Sequence, residues 1–479
     1  MKKTYGVCIG MLAMGLAIAG APVARAQTQM AANAAGGVSE ASTMSASVAP
    51  AASSPASLDR RVEELEKELA ELRSELAARK RTEEAAAATP APSPAAAAQD
   101  KPAEKTTIAS LLGPTSLSGF IDTYYQVNFN HPSDQGADFR AFDFRSHQFG
   151  LNMAELILDK APDASGPAGR TGYHVSLGFG DGMNAVNGTD FAGNTLGFGD
   201  GFFAQHLKEA YFSYLAPVGK GLQVDVGKYV TPMGSEVIES KDNWNYSRGL
   251  LFTYAIPFYH FGMRAKYTFN DKYALTGYLA NGWNNIVDNN SGKMFGLTFN
   301  WNPTKKVSFA QTYMAGPEAP AGTFGPTVNV NNFWRQTWDT VVTYNPTAKL
   351  SLMANFDYGR GDRFPIESTP PYSAPVYWTG GAGYVKYALD ANDYVAARYE
   401  YFEDHDGFMT ATGIPRLHFN EFTATYQRTL ATHLLTRFEY RRDMGNFPVF
   451  DISNFNSGVK YQNTATIGLI FLFDSRDAK

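Results

Sequence analysis

His260-Phe261-Gly262-Met263-Arg264-Ala265-Lys266-Tyr267 alternates without a break. Successive side chains of an extended strand point to opposite faces. Phe261, Met263, Ala265 and Tyr267 therefore share one face, and His260, Gly262, Arg264 and Lys266 share the other. An apolar, aromatic face backed by a cationic one suits a wall with hydrocarbon on one side and water on the other. The same phase recurs along the chain. Val224 and Val226 oppose Gln223 and Asp225, and Phe356 and Tyr358 oppose Asn355 and Asp357. Val395, Ala397, Tyr399 and Tyr401 oppose Arg398 and Glu400, and Phe438 and Tyr440 oppose Arg437, Glu439 and Arg441. An Arg or Lys on the lipid face costs roughly 2–4 kcal/mol near the bilayer midplane, so the phase of each strand is strongly constrained.

Working outward, this period-two pattern starts at Leu117 and continues to Leu472. Candidate strands are 117–129, 145–158, 171–179, 206–216, 221–230, 257–269, 272–281 and 292–301. They continue with 306–315, 333–344, 349–359, 377–388, 393–403, 416–428, 431–442 and 459–472. The even count is what a bacterial single-chain barrel needs, and most spans match the nine to eleven residues of a tilted membrane strand. Short turns such as Asn270-Asp271, Asn302-Pro303-Thr304-Lys305, Asn345-Pro346-Thr347, Leu389-Asp390-Ala391-Asn392 and Thr429-Leu430 alternate with longer segments at 180–205, 316–332, 360–376 and 443–458. Short turns on one rim and long loops on the other are a barrel signature, not a sandwich one. The fold class expected is all-β: a transmembrane antiparallel β-barrel of about sixteen strands, preceded by a short coiled-coil helix.

Composition agrees. Aromatics make up 14% of the 479 residues and charged residues only 18%, below the roughly 25% of a soluble domain. Mean hydropathy is nevertheless −0.27, and no apolar run long enough for a membrane helix follows the N-terminal segment. Lumenal polar residues cancel lipid-facing ones in such an average. A net charge of −5 argues against nucleic acid as a partner.

Residues 1–26 read as a secretory signal, with Lys2 and Lys3, an apolar core from Val7 to Ala19, and Ala24-Arg25-Ala26 before the cleavage point. The alternative, a membrane anchor, needs a longer apolar run. Cys8, the single cysteine, lies inside this segment, which leaves no disulfide for the mature chain. Residues 27–57 are Ala/Ser-rich and without periodicity. Leu58, Val62, Leu65, Leu69, Leu72 and Leu76 then follow heptad spacing within 58–80, which predicts a coiled coil and self-association. A single amphipathic helix lying on another surface is the alternative. An Ala/Pro-rich linker, 81–116, leads to the barrel at 117–473, and 474–479 form a short periplasmic tail.

Candidate pore-lining residues carry both signs: Arg264, Lys266, Arg398, Arg437 and Arg441 against Glu209, Asp225, Asp357, Glu400, Glu421 and Glu439. Opposed rows of charge bias ion passage, whereas cross-wall pairs merely hold a barrel together. No single-sign ladder appears, so strong anion selectivity is not indicated. Between Gly227 and Gly262 the chain is too long and too mixed for a turn. It carries Glu236, Glu239, Lys241, Asp242 and Arg248 among aromatics. It reads either as a constriction loop folded into the lumen or as a loop over the mouth or against a neighbouring subunit. Tyr124, Tyr125, Tyr211, Tyr214, Tyr254, Trp283, Trp301, Trp334, Trp338, Tyr344, Tyr377 and Trp378 fall near expected strand ends, as interfacial belts require.

Gly227-Lys228-Tyr229-Val230-Thr231-Pro232-Met233-Gly234-Ser235-Glu236, Asn245-Tyr246-Ser247-Arg248, Gly262 to Tyr267 and Leu117-Ser118-Gly119-Phe120-Ile121-Asp122 together resemble the OmpL-like beta-barrel porins. The N-terminal coiled coil is similar to that of some phosphate-selective porins. The resemblance implies passive diffusion of ions and small hydrophilic solutes across the outer membrane of a Gram-negative bacterium, with the N-terminal extension in the periplasm. It implies no catalysis, no cofactor and no metal, and by analogy with porins the homo-oligomer expected is a trimer. One departure is the end of the chain, where Phe473 is followed by six further residues. Alternatives from other classes are a channel for sugars or another defined solute, and a structural barrel linking the outer membrane to the cell wall. An enzyme would need a nucleophile with a nearby base, and His260, His405, His418 and His433 lie in no such motif.

Overall fold

The structure, a computed structural model, describes residues 113–187, 204–320, 328–362, 375–452 and 458–477. The expected signal, the 27–57 segment, the heptad leucines and most of the expected linker lie outside them. Sixteen antiparallel strands close into a barrel, each pairing with its sequence neighbours and β1 with β16. They are β1 (Ser116–Asn128), β2 (Gln148–Lys160), β3 (Thr171–Phe179), β4 (Leu207–Ala216), β5 (Leu222–Val230), β6 (Tyr259–Asn270), β7 (Tyr273–Ala280) and β8 (Met294–Thr304). The second half comprises β9 (Val307–Pro317), β10 (Trp334–Tyr344), β11 (Leu350–Asp362), β12 (Pro375–Ala388), β13 (Asp393–Asp404), β14 (Leu417–Ala431), β15 (Leu434–Gly445) and β16 (Tyr461–Asp474).

Alternation governs the wall. Phe356, Phe438, Ile467, Leu469 and Phe471 are 45–52% exposed, while their sequence neighbours Asp357, Arg437, Thr466 and Ile470 are buried. Apolar side chains that stand exposed in rows around a closed cylinder are the lipid-facing set. The seam runs slightly past the last aromatic: Ser475 N–H donates to the Leu117 carbonyl at 2.8 Å. Phe473 pairs with Gly119 in register, and its ring lies over that glycine.

Some of the expected aromatic belt turns inward. Trp301, Trp334, Trp338 and Tyr344 are exposed on the outside, but Tyr124, Tyr254, Trp283 and Trp378 are buried in an apolar cluster within the barrel. Proximity to a strand end does not reveal the face: Tyr124 of β1 and Trp378 of β12 take the inward phase, Trp283 follows β7 into the lumen, and Tyr254 belongs to the apolar segment that fills that side. Trp283 and Trp378 meet edge to face, with centroids 6.2 Å apart.

Candidate functional site

The filler is the segment 231–258, between β5 and β6. Besides bonds to Lys208 of β4 and Asn152 of β2, it bonds to β1, β11, β12, β13, β14 and β15, the far side of a closed cylinder, so its path lies through the lumen. It begins at Thr231-Pro232, where proline removes a ladder donor. Near its end Leu251–Ala255 form a π-helical turn whose residues are all buried.

Each contact has a clear chemistry. A helical turn leaves backbone N–H groups without internal partners at its start. The Glu400 carboxylate accepts from Leu250 N–H at 2.6 Å and Leu251 N–H at 2.7 Å. The Glu439 carboxylate accepts from Tyr246 N–H at 2.5 Å and Ser247 N–H at 3.0 Å. Arg437 works in the opposite sense. Its planar fork donates to the carbonyls of Ser240, Asn243 at 2.7 Å, Asn245 at 3.1 Å and Lys241 at 3.2 Å. Arg398 donates to Glu236 at 2.5 Å, to the Ser247 carbonyl at 2.7 Å and to Glu421 at 2.8 Å. Arg441 donates to the Arg248 carbonyl at 2.6 Å and to Asp443 at 2.8 Å. Charge-assisted bonds shielded from water are the strong kind, and here they stitch wall to loop.

Other wall groups complete the seat. Asp122 accepts from Tyr246 O–H at 2.8 Å and Ser240 O–H at 2.5 Å. Trp378 Nε1–H donates to the Ala255 carbonyl at 2.9 Å. Two lumenal glycines make room: a Cβ on Gly380 would lie 2.4 Å from Leu251 Cδ2, and one on Gly468 2.6 Å from the Tyr246 ring. Above the loop, residues 129–147 fold inward. Phe142 packs near Phe252 and Phe258, and the Arg248 guanidinium lies 4.2 Å from the centroid of Phe142. His131, Gln135, Phe139 and His147 in that segment adopt positive φ, a strained backbone held by its packing.

The residues named from sequence thus divide. Asp357, Arg398, Glu400, Glu421, Arg437, Glu439 and Arg441 project inward but are at most 5% exposed, covered by the loop and its neighbours. Glu236 and Arg248 are buried at its anchors. Glu239 pairs with Lys208, and Lys241 pairs with the more exposed Asp242. Glu209 is bound by His174 at 3.4 Å and Val230 N–H at 3.1 Å. Asp225 accepts from Arg264 at 2.7 Å, and that guanidinium sits 4.8 Å from the ring centroids of both Tyr211 and Tyr229. Lys266 alone of the eleven is exposed. The opposed charge rows expected from the strands are therefore largely spent on loop anchoring.

Sequence reasoning missed Asp122, Tyr246 and Trp378 as partners, and the seats at Gly380 and Gly468. Glycine at a lumen-facing strand position was the available signal, since a strand interior gains nothing from glycine unless another chain segment approaches closely. On the opposite side of the lumen a recess of about 370 Å³ opens between β6 and β10, lined by Lys266, Thr268, Asn270, Asp271, Asn300, Asn302, Ser308 and their neighbours. Among the described residues no group of three or more His, Cys, Asp or Glu side chains converges as a metal site.

Residues 114–473 match the family model described as "Putative beta-barrel porin-2, OmpL-like". No curated protein sequence matches the chain. Solved structures similar to it include an anion-selective porin from Comamonas acidovorans, at TM-score 0.49 and 11% identity, covering 75% of this chain and 99% of that one. The outer membrane channel DcaP of Acinetobacter baumannii has TM-score 0.47 and 10% identity, covering 75% and 97%. A loop L8 deletion mutant of OmpT, an outer membrane protein of Vibrio cholerae, has TM-score 0.47 and 11% identity, covering 75% and 99%. With a family model matched across its whole barrel, this chain belongs to the beta-barrel porin-2, OmpL-like family.

Proposed function

We propose that the protein is a passive channel of the Gram-negative outer membrane, passing ions and small hydrophilic solutes through a lumen narrowed by the segment 231–258. The observation that carries this is the one-sided seat of that segment. It is bonded to β1, β2, β4 and β11–β15, while the recess of about 370 Å³ lies on the β6–β10 side among polar side chains and a few apolar ones. A lumen lined by Thr, Asn, Ser and Lys holds water, and water-filled barrels conduct. The pore-lining and constriction residues take roles by exposure: Lys266 and Arg264 meet the solute, while Arg398, Arg437, Arg441, Glu400 and Glu439 hold the constriction.

The domain organisation belongs to the same proposal. Residues 1–26 are removed as a signal, 58–80 associate through Leu58, Val62, Leu65, Leu69, Leu72 and Leu76, and 81–116 tether that coil to the barrel in the periplasm. Tethering raises the local concentration of so short a coil, which supports a trimer held in the membrane. Purified mature protein in a planar bilayer tests the channel directly. Discrete current steps are expected, with steps grouped in threes for a trimer. Folded protein that stays silent overturns the passive channel in favour of a structural barrel.

A further inference from the structure

The chain carries more acidic than basic residues, yet its inward carboxylates outside the loop's seat have partners: the half-exposed Asp159 meets His174 and Asp242 meets Lys241. Asp225 is bound by Arg264 and by Ser213 O–H at 2.7 Å. Glu209 is bound by His174 and a backbone N–H. The carboxylates of β13–β15 lie under the inward loop. Lys266, two residues along β6 from Arg264, is exposed in the recess and has no hydrogen bond or ion pair among the described residues. The side chains beside it are neutral Thr and Asn, and the one carboxylate of the recess, Asp271, sits at its turn end.

A second asymmetry coincides with the first. Three consecutive short turns, 271–272, 305–306 and 345–349, border the strands of the recess, and a fourth, 217–221, lies next to them between β4 and β5. They carry exposed Lys220, Lys272, Lys305, Lys306 and Lys349 against Asp271 alone. Lys306 donates to the Pro346 carbonyl at 2.8 Å and Lys349 to the Leu389 carbonyl at 3.1 Å, bonds that fix the ammonium groups without neutralising them. The other turns, 161–170, 389–392 and 432–433, hold Asp163, Arg170, Asp390 and His433 and no lysine.

Resting on the channel assignment above, we propose that the β6–β10 recess, with Lys266 on its wall and this lysine arc at its mouth, makes the channel selective for small inorganic and carboxylate anions. Charge of one sign along a low-dielectric cleft concentrates the opposite ion locally, and basic residues lining a pore select anions. The mixed signs along the strands indicate no strong anion selectivity; the location of the unpaired charges supplies it. Because the arc is exposed, its contribution falls as salt rises and the Debye length drops below about 10 Å.

Reversal potentials across a KCl gradient, measured on the mature protein in planar bilayers, test this. The expected wild-type reading is a chloride over potassium preference of roughly tenfold below 0.1 M salt, the lower end of what field focusing supplies. Lys266→Gln moves the reversal potential towards zero, and a triple Lys272→Gln, Lys305→Gln, Lys306→Gln variant flattens its salt dependence. These side chains are exposed and hold no core contact, so the variants fold, which heat-modifiable gel mobility checks. A conducting wild type that prefers potassium, or a reversal potential unchanged in both variants, overturns the anion assignment alone. No current from folded wild type overturns the channel and the anion assignment together.

Discussion

Arg398 of β13 and Glu236 of the inward loop meet at 2.5 Å, with side chains 0% and 3% exposed, although 162 positions separate them in the chain. This pair, next to the Ser235 N–H bond to Asn355 of β11, fixes the loop near where it reaches the far wall. Arg398 also holds Glu421, so removing the guanidinium leaves buried Glu236 with the Gly249 N–H alone and Glu421 with Thr423 and Arg441. Breaking a buried pair by deleting one partner costs about 3–5 kcal/mol. Arg398→Ala is expected to lower the unfolding midpoint in detergent by that order and to raise single-channel conductance as the loop detaches. Glu236→Gln keeps one acceptor and is expected to lose less than half as much. Equal losses from the two variants would contradict this assignment.

Arg437 serves the loop as a cation among carbonyls. A lysine in its place keeps the charge but cannot offer a planar fork to four acceptors. Arg437→Lys is expected to leave the barrel assembled and make the current noisier. Arg248, 2% exposed in the native protein, then becomes a tryptic site in limited proteolysis. An unchanged digestion pattern would show that the loop does not depend on this fork.

Gly468 faces the Tyr246 ring so closely that any side chain collides. Overpacking of this kind costs about 1–3 kcal/mol. Gly468→Ala is expected to destabilise by that amount and to weaken the Tyr246 bond to Asp122. Combined with Tyr246→Leu, the alanine has less to strike, so the double variant is expected to be more stable than the sum of the single losses. A double-mutant cycle of thermal midpoints measures the coupling.

Asp138, in the segment above the inward loop, accepts from Asp451 N–H at 2.6 Å. Burial pushes its carboxyl up to about 7, and the carboxylates of Asp451, Asp134 and Asp443 push the same way. A raised acid binds more protons folded than unfolded between about pH 4 and 7, so its contribution to stability falls as pH rises through that window. The contact between 129–147 and 446–452 is therefore expected to tighten below pH 6 and loosen above pH 7. Hydrogen exchange of the Asp451 amide follows it, and Asp138→Asn is expected to remove the pH dependence.

Much of the barrel was legible locally. The phases of β5, β6, β11, β13 and β15 follow from alternation alone, and all sixteen strands lie within a few residues of their expected spans. A wrong phase would put arginine in hydrocarbon, and no distant contact could offset that. Trp283 and Trp378 show where such reasoning stops. Both sit near strand ends and both read as belt residues, yet the apolar turn at Leu251–Ala255 draws Trp378 inward, and Trp283 stacks edge to face behind it.

The order of sixteen antiparallel strands, their faces and their short turns were determined by the sequence by itself, because side-chain period and turn chemistry act between near neighbours. Only the tertiary structure decided that the segment 231–258 enters the lumen, that Arg398, Arg437 and Glu439 are consumed in holding it, and that Lys266 is left facing water. Those outcomes depend on groups brought together from β1, β5 and β11–β15 by closure of the cylinder. Before closure, each charge could equally have faced solute, a partner strand or another subunit.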